Sequence, residues 1–155
     1  MTSDREREVD FCSPHLDVSL AVVKRAGRAA DITLHGLRLG LRRGTTAELY
    51  VWQRMRIEPV RESESNEELY ALLSAAELDA VVDDFPIANW FSQQVPGLEL
   101  AGVLPGTEGV YAIMVGKKNH KLRREINRAL AEIENDGTRR MLLMKWFGND
   151  PAGVN

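Results

Sequence analysis

The chain has 155 residues, of which 44% are hydrophobic and 28% are charged, and its formal net charge at pH 7 is −3. This balance is ordinary for a globular α/β or α+β protein and offers no general attraction for nucleic acid. The single cysteine, Cys12, excludes an intrachain disulfide, and no apolar run approaches the roughly 18 residues that a bilayer span needs. The strongly charged first ten residues do not fit the pattern of a signal peptide.

The first sixty residues predict short strands and helices in alternation. Ser3-Asp4-Arg5-Glu6 is a capping-box pattern, so a short helix is expected to start between Met1 and Ser3. Pro14 argues against a regular element over residues 9–16. Next come predicted strands at residues 19–24 and 37–41, a threonine-capped helix that opens at 44–48 and runs to about Arg56, and a strand at 57–60.

The rest of the chain continues the same alternation. Ser65 is placed to cap an amphipathic helix over residues 66–76. Extended segments are predicted at 79–83, 98–104 and 109–116, and helices at 87–94, 120–135 and 138–147, with Gly137 ending the long helix. The strand-helix rhythm predicts an α/β fold with a sheet rich in parallel strands and flanked by helices.

Two adjacent carboxylates close the apolar run of residues 80–82. Pro86 cannot continue a strand, so Asp83 and Asp84 are expected at or just past its carboxyl end. In open α/β sheets ligands bind outside that end of the strands. The pair therefore has two interpretations, which are solvated turn residues that cap the next helix and the polar floor of a binding cleft.

A second polar group occurs where a glycine turn meets a predicted helix start. Thr45 and Thr46 follow Gly44, and threonine hydroxyls together with a helix N-terminus supply donors that suit a carboxylate. The plainer interpretation is that either threonine only caps its helix. Both roles are compatible in one residue.

Several segments occur in an order that is itself informative. They are Arg-x-x-x-Val-Asp-Phe from Arg5 to Phe11 with Ser13-Pro14, the strand at 19–24, Leu39-Gly40-Leu41 leading to Gly44-Thr45-Thr46-Ala47-Glu48, LLSAAELDAVVDD at 72–84, residues 111–117, Asp136-Gly137-Thr138, and Lys145-Trp146-Phe147-Gly148. Together they resemble the polar amino-acid-binding proteins of ABC importers, which are periplasmic solute-binding proteins of the type 2 fold.

The resemblance implies two lobes and a missing portion. Residues 1–18 would be a remnant of lobe one, residues 19–112 a complete lobe two with a hinge strand at each end, and residues 113–155 the helical return to lobe one. The N-terminal part of lobe one, which precedes this segment in the family, is not represented. A chain of this kind is expected to bind ligand weakly or not at all, and to associate or exchange segments with a second copy.

The resemblance also assigns ligand-binding roles. Residues matching Arg5 and Thr46 grip the ligand α-carboxylate, and the residue matching Asp84 takes the α-ammonium. Positions matching Arg42 and Asp83 touch the ligand or its side chain and help to set specificity. Without the resemblance, Arg5 and Arg42 would be interpreted as solvated arginines in charged runs.

The function implied is that of a solute-binding component which delivers a free polar amino acid to the membrane permease of an ABC importer. It would act in the periplasm or outside the cell, without a cofactor or metal, without nucleic acid and without catalysis. Two alternatives keep the same fold. One is a periplasmic enzyme like cyclohexadienyl dehydratase, in which the paired acids would supply a general acid. The other is the sensor module of a larger receptor.

Overall fold

A computed structural model describes residues 3–27, 32–59 and 61–147. The chain divides into two compact units. Unit 1 comprises Met1–Val18 and Glu108–Asn155, and unit 2 comprises Ser19–Thr107. The chain thus leaves unit 1 after Val18 and returns to it at Glu108. Among the described residues, no helix is both long enough and apolar enough to cross a membrane.

The regular elements follow the predicted alternation closely. In chain order they are α1 (Ser3–Glu8), β1 (Val9–Val18), β2 (Leu20–Arg25), β3 (Leu39–Arg42), α2 (Thr46–Tyr50), a π-helical stretch (Val51–Met55), β4 (Arg61–Ser63), α3 (Asn66–Ser74), β5 (Ala80–Asp84), α4 (Phe85–Gln94), β6 (Leu98–Val103), β7 (Gly109–Gly116), α5 (His120–Asn135) and α6 (Thr138–Phe147).

Unit 2 is built on a five-stranded mixed sheet in the order β4-β3-β5-β2-β6. The pairs β3–β4 and β3–β5 are parallel, whereas β2 pairs antiparallel with both β5 and β6. The predicted α/β class is confirmed. Parallel pairing is confined to one side of β5, because β2 and β6 run against their neighbours.

The two faces of this sheet bury different helices. On one face Val22, Leu41 and Val82 pack with Ala47 of α2 and Val51 of the π-helical stretch. On the other face a second apolar cluster packs under α3 and α4, and its members include Ala21, Val23, Leu69, Tyr70, Leu73, Val81, Phe85 and Ala88. Each large side chain buried in this way contributes about 1.5–3 kcal/mol of transfer free energy. We call these the α2 face and the α3 face.

Unit 1 contains a two-stranded antiparallel sheet of β1 and β7. The prediction of irregular structure over residues 9–16 is wrong, since β1 runs through the whole segment. Its register with β7 shifts on both sides of Pro14, between Phe11 and Leu16. A bulge of this kind accommodates proline, which has no N–H to donate, without ending the strand.

The segment between α2 and α3 also differs from the prediction. The helix expected to run to Arg56 changes to π-helical geometry after Tyr50, and Arg56 adopts the left-handed conformation that ends it. Residues 57–59 form no strand, and Val60 lies outside the described residues. The N–H of Ile57 instead donates to the carbonyl of Val51, 3.2 Å away, as at a helix C-terminus. The strand occurs slightly later, at Arg61–Ser63.

Leu69 of α3 and Leu78 pack so closely against Gly40 of β3 that a larger residue there should destabilise the fold. A Cβ atom built there would lie 2.5 Å from Leu78 Cδ1 and 3.0 Å from Leu69 Cδ2, and both leucines are buried. We expect Gly40→Ala to lower the free energy of unfolding by about 1–3 kcal/mol through overpacking. The matched control is Gly109→Ala in β7, where the new Cβ would meet Val18 at an ordinary 3.8 Å. Urea denaturation of both variants checks this, and equal losses would contradict the packing described.

Candidate functional site

The two acids at the end of β5 lie on opposite faces of the sheet. Asp83 is paired with Ala21, which belongs to the α3 face, and Asp84 is paired with Leu20, which belongs to the α2 face. Side chains of successive residues in a strand point to opposite faces, so the pleat separates the two carboxylates. They therefore have different surroundings in spite of being adjacent in sequence.

Asp84 is half-buried at the junction between β5 and α4. It occupies the N-cap position of α4, with φ −61° and ψ 137°, but its side chain makes no capping hydrogen bond. Helix capping therefore does not account for this carboxylate. Its backbone N–H donates to Asp83 Oδ1, 2.8 Å away.

Asp83 is buried and only 6% exposed. Burial is the largest cause of a rise in the pKa of its carboxyl group to about 7. The charge of Asp84 contributes to this rise, while the hydrogen bond from the Asp84 N–H and the charge of Arg42 oppose it. Its second oxygen, Oδ2, is buried without a hydrogen-bond partner among the described residues. A carboxyl group in these surroundings gives up its proton near neutral pH.

Tyr70 of α3 is the residue in this region that sequence reasoning missed. Its ring stacks on that of Phe91 with centroids 4.0 Å apart, and its hydroxyl oxygen is buried without a partner among the described residues. Burial raises the pKa of Tyr70 strongly, and the charge of Asp83 adds to the rise. Periodicity places Tyr70 on the buried side of the helix, but it does not reveal which polar groups the hydroxyl faces.

Arg42 lies at the end of β3 with an exposed side chain. Its charge acts on Asp83 and on Glu67 of α3. The pKa of Glu67 is lowered first by the hydrogen bond from the Ser65 hydroxyl and then, among other causes, by this arginine. Arg42 therefore supplies positive charge near the α3 side of the strand end.

The glycine turn before α2 forms a closed set of local hydrogen bonds. Thr45 Oγ1 donates to the carbonyl of Arg42, 2.7 Å away, and accepts from the N–H of Glu48 at 3.3 Å. Glu48 reaches back to accept from the N–H of Gly44 at 2.7 Å. Thr45 is thus the helix cap, as one of its two predicted roles required. Thr46, the first residue of α2, has an exposed side chain.

The opposite end of β5 provides a contrast. There the Asp79 carboxylate accepts hydrogen bonds from Nε and Nη2 of Arg38, at 2.9 and 3.0 Å. Its Oδ1 also lies 3.6 Å from Nη2 of Arg25. Arg25 also donates to the carbonyls of Leu73 and Leu78. This acid is held in a structural ion pair at the amino end of the strand.

The six predicted site residues are divided between the two units. Arg42, Thr45, Thr46, Asp83 and Asp84 belong to unit 2. Arg5 belongs to unit 1, where its side chain is exposed on α1. In the part of the chain that the structure describes, no group of three or more His, Cys, Asp or Glu side chains could hold a metal ion.

Comparison with known sequences identifies one family. A family model of the bacterial extracellular solute-binding proteins, family 3, matches residues 1–149. A glutamine-binding protein of an ABC transporter from Bacillus subtilis is 25% identical over 155 residues, which are 98% of this chain and 56% of that protein. The histidine-binding periplasmic protein of Salmonella typhimurium is 28% identical over 166 residues, covering 99% of this chain and 64% of that protein.

Comparison with known structures agrees. An ancestral arginine-binding protein, solved with arginine and with glutamine, is 31% identical, with a TM-score of 0.83 over 96% of this chain and 68% of that one. The chain spans little more than half of the length of the glutamine-binding relative. The family description and the relatives' names agree with the expectation of a binding protein rather than an enzyme.

The buried carboxyl of Asp83 predicts a distinctive pH dependence of stability. An unfolded chain releases this proton near the ordinary value of 3.8, whereas the folded chain keeps it until about pH 7. Its contribution to the free energy of unfolding therefore falls between about pH 4 and pH 7, by up to about 4 kcal/mol, and levels off above. Asp83→Asn should remove this fall.

Urea denaturation of wild type and Asp83→Asn at pH 5 and pH 7.5 measures the difference. The control is Glu58→Gln, which changes an exposed carboxylate of the same unit. Parallel pH profiles for wild type and Asp83→Asn would contradict the burial of an ionisable Asp83.

Proposed function

The chain belongs to the bacterial extracellular solute-binding proteins, family 3, and we therefore propose that it binds a free polar amino acid. The supporting observation is that Asp84, a half-buried carboxylate at the carboxyl end of buried β5, shares the α2 face with a helix that starts at Thr46. A free amino acid carries an ammonium and a carboxylate at fixed separation. Asp84 suits the ammonium, and the Thr46 hydroxyl with the N–H groups at the start of α2 suits the carboxylate.

The other predicted residues take supporting roles in this proposal. Arg42 is exposed at the strand end, and its charge acts toward the α3 side, so its contact with the ligand side chain is assigned on the resemblance alone. Thr45 shapes the turn that presents Thr46, because both functions of its hydroxyl are used locally. Asp83 does not contact the ligand in this proposal, because its carboxyl group is buried on the α3 face of the sheet. Arg5 is assigned to the ligand carboxylate on the resemblance alone.

The two lobes that the resemblance implies suggest how this chain is divided. We propose that residues 19–112 correspond to lobe two and that residues 1–18 and 113–155 belong to lobe one. In the whole protein, the ligand would be held between the lobes and delivered to the membrane subunits of an ABC permease. The protein would then work in the periplasm or outside the cell. The family description gives an extracellular location for its members, and the name of the histidine-binding relative gives a periplasmic one for that protein.

The binding strength of this chain is proposed to be low. Three or four charge-assisted hydrogen bonds of about 1.5–3 kcal/mol each would give roughly micromolar affinity in an enclosed site, after the cost of association. Arg42 and Thr46 are exposed, so water competes for the groups they offer. We expect a Kd of about 1 mM, which corresponds to about −4 kcal/mol.

The binding test compares two carboxylates of unit 2. Wild-type chain is titrated with arginine, glutamine, histidine and glutamate, and binding is followed by calorimetry or ligand-observed NMR. Asp84→Asn should weaken the best ligand at least tenfold, because the ammonium loses its ionic partner. Glu58→Gln, an exposed change in the same unit, should leave the affinity as it is. Equal affinity for wild type and Asp84→Asn would contradict the proposed role of Asp84.

We also propose that this chain associates with a second copy of itself through unit 1. Neither α5 nor α6 has a buried residue, and large apolar side chains are exposed on α6, among them Met141 and Met144 at 61% and 54%. Among the described residues, the sheet of unit 1 has two strands, β1 and β7. Two copies can cover the same apolar surface about a two-fold axis.

Light scattering coupled to size-exclusion chromatography tests this association. Wild type should show a mass that rises toward twice 17.4 kDa with concentration. The double variant Met141→Lys, Met144→Lys should shift the equilibrium to monomer. Trp90→Lys is the matched control, because Trp90 is an equally exposed apolar residue of unit 2, at 52%. A wild-type monomer at all concentrations, or an equal effect of the control, would contradict the proposed surface.

A further inference from the structure

Four side-chain oxygen atoms of unit 2 are buried without hydrogen-bond partners among the described residues. One is Asn66 Oδ1 at the start of α3, and the other three are Ser19 Oγ, Tyr70 Oη and Asp83 Oδ2. Ser19, Tyr70 and Asp83 are 2%, 1% and 6% exposed. Leaving one such group without a partner costs about 1–3 kcal/mol. Native proteins commonly satisfy such groups with an ordered internal water that makes about three hydrogen bonds.

The fold brings these three groups to the same face of the sheet. Ala21 is opposite Asp83 in the antiparallel pair β2–β5, and the N–H of Phe85 donates to the carbonyl of Ser19 at 2.8 Å. Ser19 is therefore the diagonal neighbour of Asp83 on the α3 face, at a Cα separation of roughly 7–8 Å. Tyr70 of α3 covers the same face, and the charge of Asp83 acts on its hydroxyl group.

One water molecule suits these groups chemically. Tyr and Ser hydroxyls can each donate and accept, while a carboxylate oxygen accepts. A bridging water can join polar atoms that are too far apart for a direct bond. The apolar side chains of the α3 face, such as Val81 and Leu73, offer these groups no hydrogen-bond partner.

We propose that Asp83 is a positioning residue for Asp84, and that one internal water shared with Ser19 and Tyr70 holds its carboxyl group in place. The proposal rests on the proposed role of Asp84 in binding the ligand ammonium. Asp83 Oδ1 accepts the Asp84 N–H at 2.8 Å, and α4 begins at the next residue. This bond therefore fixes the backbone that presents the Asp84 carboxylate to the opposite face of the sheet.

Protonation of Asp83 changes the strength of that bond. An ionised carboxylate accepts a hydrogen bond roughly twice as strong as the neutral group does. Burial raises the pKa of Asp83 to about 7, so the hold on Asp84 strengthens as the pH rises through neutrality. Ligand affinity should rise over the same range.

The charged groups around Asp83 are few. Asp84 on its own strand raises the pKa of Asp83, and Arg42 on β3 lowers it, while α3 contributes the hydroxyl of Tyr70. The sequence of α4, FPIANWFSQQ, has no acidic or basic residue. The cations of β2, Lys24 and Arg25, lie at the end of that strand away from Ala21, which is opposite Asp83. Arg25 lies 3.6 Å from Asp79 at the amino end of β5.

The first experiment needs no ligand. The backbone amide of Asp84 is followed by NMR from pH 5 to pH 8.5 in wild type, Asp83→Asn, Tyr70→Phe and Ser19→Ala. The wild-type amide should titrate with a midpoint near 7, and the titration should be absent in Asp83→Asn. Tyr70→Phe and Ser19→Ala should each raise the midpoint, because the water loses a partner and solvates the ionised carboxylate less well.

Two controls keep this experiment decisive. Asp84→Asn should keep the titration of the amide at residue 84, which separates Asp83 from the side chain of Asp84 itself. If Tyr70→Phe does not fold, Ser19→Ala tests the same shared water alone. An Asp84 amide that does not titrate near neutral pH, or a midpoint unchanged in the variants that fold, would overturn the proposal.

The second experiment adds ligand and separates this inference from the proposed function. Affinity for the best amino acid should increase severalfold from pH 6 to pH 8 in wild type and stay constant in Asp83→Asn. Binding that shows no such increase in wild type overturns the positioning role. Absence of amino-acid binding at both pH values, with the expected amide titration, contradicts the proposed function while supporting the Asp83–Asp84 coupling.

Discussion

The burial of β5 between β2 and β3 is the constraint on which the candidate site depends. Ala80, Val81 and Val82 are at most 1% exposed, and they are packed from both faces of the sheet. The two arginines on Asp79 hold the amino end of the strand. At the carboxyl end, α4 begins directly after Asp84 with no intervening loop. The position of both acids is therefore set by the packing of the strand and not by a flexible turn.

Because a strand alternates its side chains, the same constraint divides the two acids. Asp84 emerges on the α2 face, where a helix start offers N–H groups, and it remains half-buried. Asp83 enters the α3 face, where burial shifts its pKa toward neutrality. The paired acids therefore combine one group suited to contact a ligand with one group suited to hold its neighbour. The hydrogen bond to the Asp84 N–H gives Asp83 a role that explains an ionisable side chain in the otherwise apolar α3 face.

Much of the fold could be predicted from the sequence, because several elements carry strong local signals. The Ser65 cap of α3 and the apolar spacing of α5 located those helices within about two residues. Strand β1 was missed because Pro14 counts locally against a strand, whereas the pairing with β7, nearly one hundred residues away, accommodates it with a bulge. The strand expected at 57–60 was displaced by the helix end at Arg56, which depends on backbone geometry.

The site could be predicted only in part. The motif pointed to Asp83 and Asp84 together, but their separation onto two faces follows from the register with Ala21 and Leu20. Ser19 and Tyr70 carry no sequence signal for a polar cluster, because their burial depends on how β2, β5 and α3 pack. Residues that act through tertiary packing are therefore the ones that pattern analysis overlooks.

The most direct test of amino-acid binding at the end of β5 is an NMR titration of the isotope-labelled chain with its best amino-acid ligand. The account predicts that amide shifts change most at residues 44–46 and 84–85, where the ligand carboxylate and ammonium would bind. Saturating changes confined to the outer surface of α3 and α4 or to unit 1, with residues 44–46 and 84–85 unmoved, would contradict it.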